Sequence, residues 1–284
     1  MLPSLGIFPY HPVMNQTKMP IRMFAALFFV AALFAQNNTG RSNVHLSMGN
    51  PSNAETSIAM PRNYLMMKEQ FALSYDRMTG IPNWVAWHTD STWLGEIRRS
   101  NDFRADSTLP EQWYRVHEAS YRRSGYDRGH MCPSGDRTNS QDDNSITFLM
   151  TNMIPQAPNN NQGPWAQLEM YCRDLVKQGK ELYIYCGGNG EQGFLDTGRV
   201  RIPQWTWKAV LVLDAGENDL QRAAASSRTI AVVMPNSNAL IRKDDDWRAF
   251  RVSVDSVEAL TGYDLFSRLP ASVQTAIERR IDTE

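Results

Sequence analysis

Three apolar, strand-forming runs follow one another in the second half of the chain with no helical pattern between them. They cover residues 181–186, 207–214 and 229–234, and the glycine-rich segment 187–190 is predicted to close the first. Two earlier runs around residues 71–75 and 84–88 flank the turn-forming stretch 79–82 and predict a hairpin. Helical patterns fall elsewhere, at residues 164–178, near 254–260 and at 271–281. Because strands and helices do not alternate as repeated βαβ units, the sequence predicts an α+β domain rather than a doubly wound sheet.

Composition bounds the size of the core and the charge of the surface. With 284 residues, 42% of them hydrophobic, and eight tryptophans, the chain can bury a full core, most simply as one domain. A formal net charge of −1 gives no global basic field. The segment 98–137 nevertheless contains eight arginines, no lysine and six acidic residues. Guanidinium groups suit phosphate oxygens through paired donors, although surface arginines paired with nearby acids are an equally good interpretation.

The amino terminus resembles an export signal. Lys18 and Arg22 precede an apolar run of 13 residues, 23–35, which polar residues follow. The run is well short of the ~20 residues that a spanning helix needs, so we expect cleavage after Ala35. An uncleaved membrane anchor is the alternative. The stretch that precedes Lys18 is long for such a signal. We therefore interpret residues 1–13 as an extension ahead of a natural start at Met14.

Three cysteines follow the predicted cleavage site: Cys132, Cys172 and Cys186. None belongs to a Cys-x-x-Cys pair, which disfavours a zinc or redox motif. Export permits a disulfide, but an odd count leaves at least one thiol unpaired. We therefore expect cysteines that serve packing.

The predicted helix at residues 164–178 presents two charged residues beside its apolar stripe. Proline suits its first turn, and Gly179 is predicted to end it. Glu169 and Arg173 are four residues apart and share one face, where they suit the lining of a cleft. An ordinary helix-stabilising ion pair is the alternative that spacing alone favours. Asn161, just ahead of the helix, is either a metal ligand or a cap residue.

His130 is one of four histidines that follow the predicted signal. It stands after Arg128-Gly129, where glycine allows the backbone to approach a bound group closely. An imidazole with a pKa near neutrality is a natural base for activating water. A single histidine is also often structural, so the residue alone leaves both interpretations open.

These segments form an ordered series of motifs. Tyr126-Asp127-Arg128-Gly129-His130-Met131 comes first, then the segments 148–156 and 160–165 with Leu168-Glu169, and finally 246–249 and 260–264. The series resembles the DNA/RNA non-specific endonuclease family, which includes secreted bacterial nucleases and mitochondrial endonuclease G. The resemblance extends from about His45 to the C-terminus. Two departures are Gly135, where relatives have alanine, and Ala105, where proline is usual; neither is expected to touch the chemistry.

The resemblance implies a ββα-metal fold with a central antiparallel sheet flanked by helices. It implies Mg²⁺, or Mn²⁺, held by one protein ligand plus waters, and DNA and RNA as substrates. The roles that it implies are the general base at His130, the metal ligand at Asn161, the carboxylate that orients metal-bound water at Glu169, and transition-state arginines at Arg173 and Arg99. Arg128 and Arg104 are the expected substrate-binding residues.

The sequence thus predicts a secreted or periplasmic enzyme that leaves 5′-phosphate ends. Its expected organisation is a signal peptide (1–35), a polar tether (36–43) and a single nuclease domain (44–284), with no stable membrane partner after cleavage. A proteinaceous inhibitor and the oligomeric state stay open. A catalytically silent nucleic-acid-binding protein is the alternative function. A serine or cysteine hydrolase is disfavoured, since the chain has no Gly-x-Ser-x-Gly and no second base beside Cys132 in sequence.

Overall fold

A seven-stranded antiparallel sheet forms the centre of the computed structural model, which describes residues 44–284. Its strands lie in the order β1-β2-β3-β6-β9-β10-β11. They are β1 (Tyr64–Met67), β2 (Ala72–Asp76), β3 (Ile81–Thr89), β6 (Lys180–Asn189), β9 (Trp205–Asp214), β10 (Arg228–Pro235) and β11 (Arg251–Val252). The expected signal peptide and tether, residues 1–43, lie outside the described residues. Within the described range every helix is too short or too polar to cross a bilayer.

Two small antiparallel pairs stand apart from this sheet, β4 (Asp127–His130) with β5 (Met153–Gln156), and β7 (Phe194–Leu195) with β8 (Val200–Arg201). The helices are α1 (Gln141–Ile146), α2 (Pro158–Asn161), α3 (Pro164–Lys177), α4 (Asp219–Arg222), α5 (Val254–Thr261) and α6 (Ala271–Glu278). Short 3-10 segments lie at Ser91–Trp93, Glu118–Tyr121, Ser134–Asp136, Met150–Asn152, Asp196–Gly198 and Trp247–Phe250. The predicted α+β class, with a central antiparallel sheet flanked by helices, is confirmed.

Local sequence accounts for several boundaries. Gly80 adopts φ +64° in the turn between β2 and β3, where a Cβ would lie 2.3 Å from the Arg199 carbonyl oxygen. Helix α3 begins with proline and is followed by Gly179 at φ +86°. Helix α5 begins after Ser253, whose side chain accepts from Ser256 N, and ends at Gly262 in the left-handed conformation.

The sheet separates two buried cores, because alternate residues of each strand point to opposite faces. We call the face that carries α3, β4 and β5 the front face. On β9, Val210 and Val212 belong to the front core, together with Trp165 of α3. Leu211 of the same strand belongs to the back core, which α5 and α6 cover.

Two expected boundaries are wrong. Gly187 and Gly188 do not close the first long strand: they continue β6 to Asn189 and pair with Trp207 and Thr206 of β9. A Cβ at Gly187 would lie 2.4 Å from the Asn83 carbonyl oxygen, so glycine there permits close packing inside the sheet rather than a turn. The last helix ends at Glu278 instead of residue 281, because Ile281 forms an isolated bridge with Ser253.

Candidate active site

The site is built on the β4–β5 pair, which fixes His130 at the end of a strand. His130 pairs with Met153 and Gly129 with Ile154. A Cβ at Gly129 would lie 2.2 Å from Gln156 Oε1, a contact that no side chain tolerates. The glycine before the histidine therefore accommodates a neighbouring side chain of the protein itself, and not only a bound group as the sequence indicated.

His130 is buried with one ring nitrogen unused. Its imidazole packs edge-on against the rings of Phe148 and Phe103, with centroid distances of 4.8 and 5.5 Å. Within residues 44–284 no group hydrogen-bonds to the buried Nε2. Burial, followed by the positive charges of Arg99 and Arg128, holds the pKa of His130 well below its usual range. The lowered pKa favours a neutral imidazole, which is the state that a general base requires.

Asn161 is oriented by Asp127, an acidic residue of strand β4. Its Nδ2 donates to Asp127 Oδ2 at 2.8 Å, and Gln162 Nε2 donates to the same oxygen at 2.8 Å. Because a carboxylate only accepts, the amide must turn its nitrogen to Asp127 and its oxygen away. Asn161 ends α2 and does not cap α3, whose N-cap is Gly163. The cap interpretation is wrong, and the amide oxygen is a hard donor suited to Mg²⁺.

A cavity of about 480 Å³ opens beside these groups. Asp127 and Asn161 line it, and so do Arg99 and Arg128, with Phe103 and Tyr126 among the aromatic walls. The site therefore combines a hard oxygen donor with two guanidinium groups on a partly aromatic surface, a combination suited to phosphate and to stacked bases.

Neighbours hold both cavity arginines in place. Arg99 donates to Ser134 Oγ at 2.7 Å and to Asn101 Oδ1 at 2.8 Å, and its guanidinium lies 4.7 Å from the Phe148 ring centre. Arg128 forms an ion pair with Glu118 and lies 4.1 Å from the Phe103 ring centre. The two aromatic rings that pack against His130 thus also contact the guanidinium groups of the two arginines.

Arg104 is not among the residues that line this cavity. Its Nη1 donates to Asp102 Oδ2 at 2.7 Å and to the Ser145 carbonyl oxygen at 2.8 Å. Its expected substrate-binding role stays a prediction without support from this geometry.

Helix α3 supplies Glu169 and Arg173, but the two residues do not pair with each other among the described residues. Arg173 Nη1 lies 3.0 Å from Asp136 Oδ1, and Glu169 Oε1 lies 3.8 Å from Lys208 Nζ. Burial raises the pKa of Glu169, while the charges of Lys208 and Arg173 oppose that rise. The interpretation as an ordinary helix-stabilising pair is therefore wrong. The apolar stripe beside them is buried as predicted: Trp165, Leu168, Cys172, Leu175 and Val176.

The sequence analysis did not identify Lys208 or Asp136 as residues of the site. Lys208 is 1% exposed, and its Nζ lies 4.1 Å from the Trp165 ring centre. The available signal was a lysine on the front face of β9, two residues before Val210, in an otherwise apolar strand. Asp136 is buried and accepts from Trp87 Nε1 at 3.0 Å as well as from Arg173.

Gly135, one of the two departures from the family pattern, does touch the site. A Cβ there would lie 2.9 Å from Arg173 Nη1. Glycine therefore lets the Arg173 guanidinium lie directly against the Ser134–Asp136 segment, which corrects the expectation that this position is remote from the chemistry. The three cysteines are unpaired and buried, which confirms the packing role.

Comparison with known proteins identifies the family of the chain. The profile of the DNA/RNA non-specific endonuclease family matches residues 49–272. A nuclease of Nostoc sp. is 52% identical over 240 residues, which cover 84% of this chain and 86% of that protein. The mitochondrial nuclease EXOG of Danio rerio is 33% identical over 248 residues, which cover 82% of this chain and 68% of the EXOG protein.

A solved structure gives the fold. In a crystal structure of the EndoG/EndoGI complex, one chain superposes with a TM-score of 0.68 at 26% identity, over 81% of this chain and 93% of that one. The β4–β5 pair, followed along the chain by α2 and α3, has the strand–strand–helix order expected of a ββα unit. The chain is therefore a nuclease that belongs to the DNA/RNA non-specific endonuclease family.

Proposed function

We propose that this nuclease is a secreted, metal-dependent endonuclease that hydrolyses DNA and RNA with little sequence or sugar specificity and leaves 5′-phosphate ends. The observation that carries the proposal is the neutral, buried His130 with an unused Nε2, next to the aromatic rings on which two cavity arginines lie. A phosphodiesterase needs a base for water and positive charge for the phosphate, and this arrangement supplies both.

The donor set fits a small, hard divalent cation such as Mg²⁺, with Mn²⁺ as the other candidate. Asn161 would be its direct protein ligand, since Asp127 turns the amide oxygen outward, and the carboxylate of Glu169 would hold its water shell. When bound, such an ion neutralises charge on a phosphate oxygen and makes coordinated water more acidic. One protein oxygen with water filling the remaining positions is typical of Mg²⁺, which loses its waters reluctantly.

His130 would accept a proton at Nε2 from the water that attacks phosphorus. Its depressed pKa keeps that nitrogen unprotonated at neutral pH. The Phe103 and Phe148 rings fix the imidazole plane, so little reorganisation is needed before proton transfer.

Arg99 and Arg173 would stabilise charge that grows on the phosphate in the transition state. Each has an anchor that fixes its position beforehand: Ser134 for Arg99 and Asp136 for Arg173. Both anchors belong to the same 3-10 segment, Ser134–Asp136, so one short element positions both guanidinium groups.

Sugar and sequence tolerance follow from what the cavity offers. Its charged groups suit phosphate, and its aromatic walls suit any base face. Binding that depends on backbone charge should weaken as salt concentration rises. The proposed export is supported by the amino-terminal signal pattern. The proposal includes a protein inhibitor whose acidic groups cover the arginines, since the EndoG neighbour was solved in complex with EndoGI.

The test is digestion of supercoiled plasmid and of total RNA by the purified chain, with Mg²⁺ or with chelator, beside His130→Ala. His117→Ala is the matched control, because His117 is exposed whereas His130 is buried between Phe103 and Phe148. We expect both substrates to be cut only by the wild type and the control, only with metal, and with 5′-phosphate ends. Equal activity of His130→Ala would remove the base assignment, and 3′-phosphate ends would exclude this direction of attack. Survival of both substrates in every lane would favour a silent nucleic-acid-binding protein.

A further inference from the structure

Three carboxylates converge on the back face, on the opposite side of the sheet from the catalytic cavity. Asp255 and Glu258 lie one turn apart on α5, and Glu278 is the last residue of α6. One oxygen from each lies within 4.8 Å of the other two. Two ligands on opposite sides of a Ca²⁺ ion are about 4.6–5.2 Å apart, so this spacing matches a shared ion.

No cation of the protein compensates this group within residues 44–284. Among the described residues no ion pair joins an arginine or lysine to these carboxylates, and no cation is among the charges that act on Glu258 or Glu278. Glu278 also stands at the C-terminal end of α6, where the helix dipole favours positive charge. An acidic group in such a position lacks the counter-charge that buried carboxylates ordinarily have.

Glu278 gives an independent indication that a ligand belongs there. The residue is 5% exposed, and its Oε1 is buried without a hydrogen-bond partner among the described residues. A buried carboxylate oxygen that no protein group contacts, beside two further carboxylates, is a position where a bound cation would supply the missing partner.

A second group of possible ligands shows the contrast. His88, Glu181 and Asp219 also meet within 4.8 Å. There Arg222 donates to both carboxylates, so the protein supplies its own counter-charge. Of these two groups within residues 44–284, the one on α5 and α6 alone combines convergence, burial and missing compensation.

We propose that Asp255, Glu258 and Glu278 bind a divalent cation of the Ca²⁺ class that ties α6 to α5. Ca²⁺ accepts six to eight oxygens in flexible geometry, and exposed Asp255 leaves one side open to water. Glu258 Oε1 already accepts from Leu265 N at 2.8 Å, which fixes that carboxylate in place. The ion stabilises the C-terminal helix against the sheet and takes no part in hydrolysis, so the proposal does not depend on the catalytic one.

The test is thermal unfolding of the full chain at pH 8, in chelator and then with added Ca²⁺. Asn161→Ala serves as the background, because it removes the direct ligand proposed for the catalytic ion. We expect Ca²⁺ at a hundredfold its dissociation constant to raise the Tm by roughly 5–10 °C. Glu278→Gln in the same background should lose that rise, and Glu191→Gln, at an exposed glutamate that is not part of the group, should keep it.

The chelator arm separates a cation site from a structural carboxylic acid. Without Ca²⁺, Glu278→Gln should unfold at the same or a higher temperature than its background, because it removes an uncompensated charge. A lower Tm for Glu278→Gln in chelator would show that the protonated side chain is itself stabilising and would overturn the proposal. An unchanged Tm of the Asn161→Ala background on adding Ca²⁺ would overturn it equally.

Discussion

At the residue scale, the chemistry depends on the environment of single side chains more than on their identity. The sequence identified His130 but could not distinguish a base from a packing histidine. The distinction comes from residues far away in the chain: Phe103 and Phe148 enclose the ring, and Arg99 acts on its charge. The same holds for Asn161, whose useful orientation depends on Asp127.

If His130 is the base, as we propose, its depressed pKa sets the acid limit of activity. A folded-state pKa below the usual ~6.5 means that the base stays neutral, and the enzyme active, as pH falls through 6.5. We expect the acid limb of a kcat/KM profile to lie below that pH. In Arg99→Met the limb should move to higher pH, since loss of a nearby positive charge raises the pKa of His130. An acid limb above pH 7 in the wild type would contradict this assignment.

Asp127 should act through metal affinity. In Asp127→Asn the carboxylate no longer fixes the amide of Asn161, and the Asn161 oxygen loses its enforced direction. We expect the Mg²⁺ concentration for half-maximal activity to rise about 10- to 100-fold, with most of kcat recovered at saturating Mg²⁺. Activity titrations against Mg²⁺ measure both quantities. A loss of kcat that Mg²⁺ does not restore would place Asp127 in the chemical step.

At the element scale, the long strands and the three longer helices could be predicted because their patterns are local. The hairpin of β2 and β3, the strands β9 and β10, and helix α3 follow from apolar periodicity and from proline and glycine signals. The continuation of β6 through Gly187 could not be predicted, because it depends on Asn83 and Trp207, which approach from other strands. The partners of Glu169 and Arg173 were missed for the same reason.

Helix α3 and strand β9 meet at the Glu169–Lys208 contact, and this contact should be tested as a pair. Lys208→Met leaves Glu169 buried without its nearest cation, and we expect a loss of about 1–3 kcal/mol in the free energy of unfolding. Glu169→Gln added to Lys208→Met should restore most of that stability and none of the activity. Urea unfolding of both single variants and the double variant measures the coupling. Additive losses would show that the two side chains act independently.

At the scale of the whole molecule, the proposed catalytic residues lie on the front face of the sheet and the helices α5 and α6 cover its back face. The front core carries α3 and the β4–β5 pair, and the back core carries α5 and α6. The order of motifs along the chain allowed the family and the fold to be inferred from the sequence. The carboxylate group on the back face could not be predicted in this way, since α5 and α6 contribute residues some twenty positions apart.

The cysteines provide a test of the packed state as a whole. Burial raises the pKa of Cys132 and Cys172 to about 12, and Cys186 is raised by burial as well. We expect no alkylation by iodoacetamide at pH 8 in the native protein and three labelled thiols after unfolding in urea. Activity should be insensitive to reducing agents. Rapid labelling of the native chain would show that the core opens locally.

The contact between Lys208 and Glu169 has a consequence for the metal-free protein. Because Lys208 Nζ lies 3.8 Å from Glu169 Oε1, the carboxylate keeps a cationic neighbour when the catalytic metal is withdrawn. We expect the metal-free protein to stay folded around an idle cleft and to regain full activity at once when Mg²⁺ returns. Under the proposed metal dependence, the supply of the ion alone would switch such an enzyme between inactive and active states, with no refolding step.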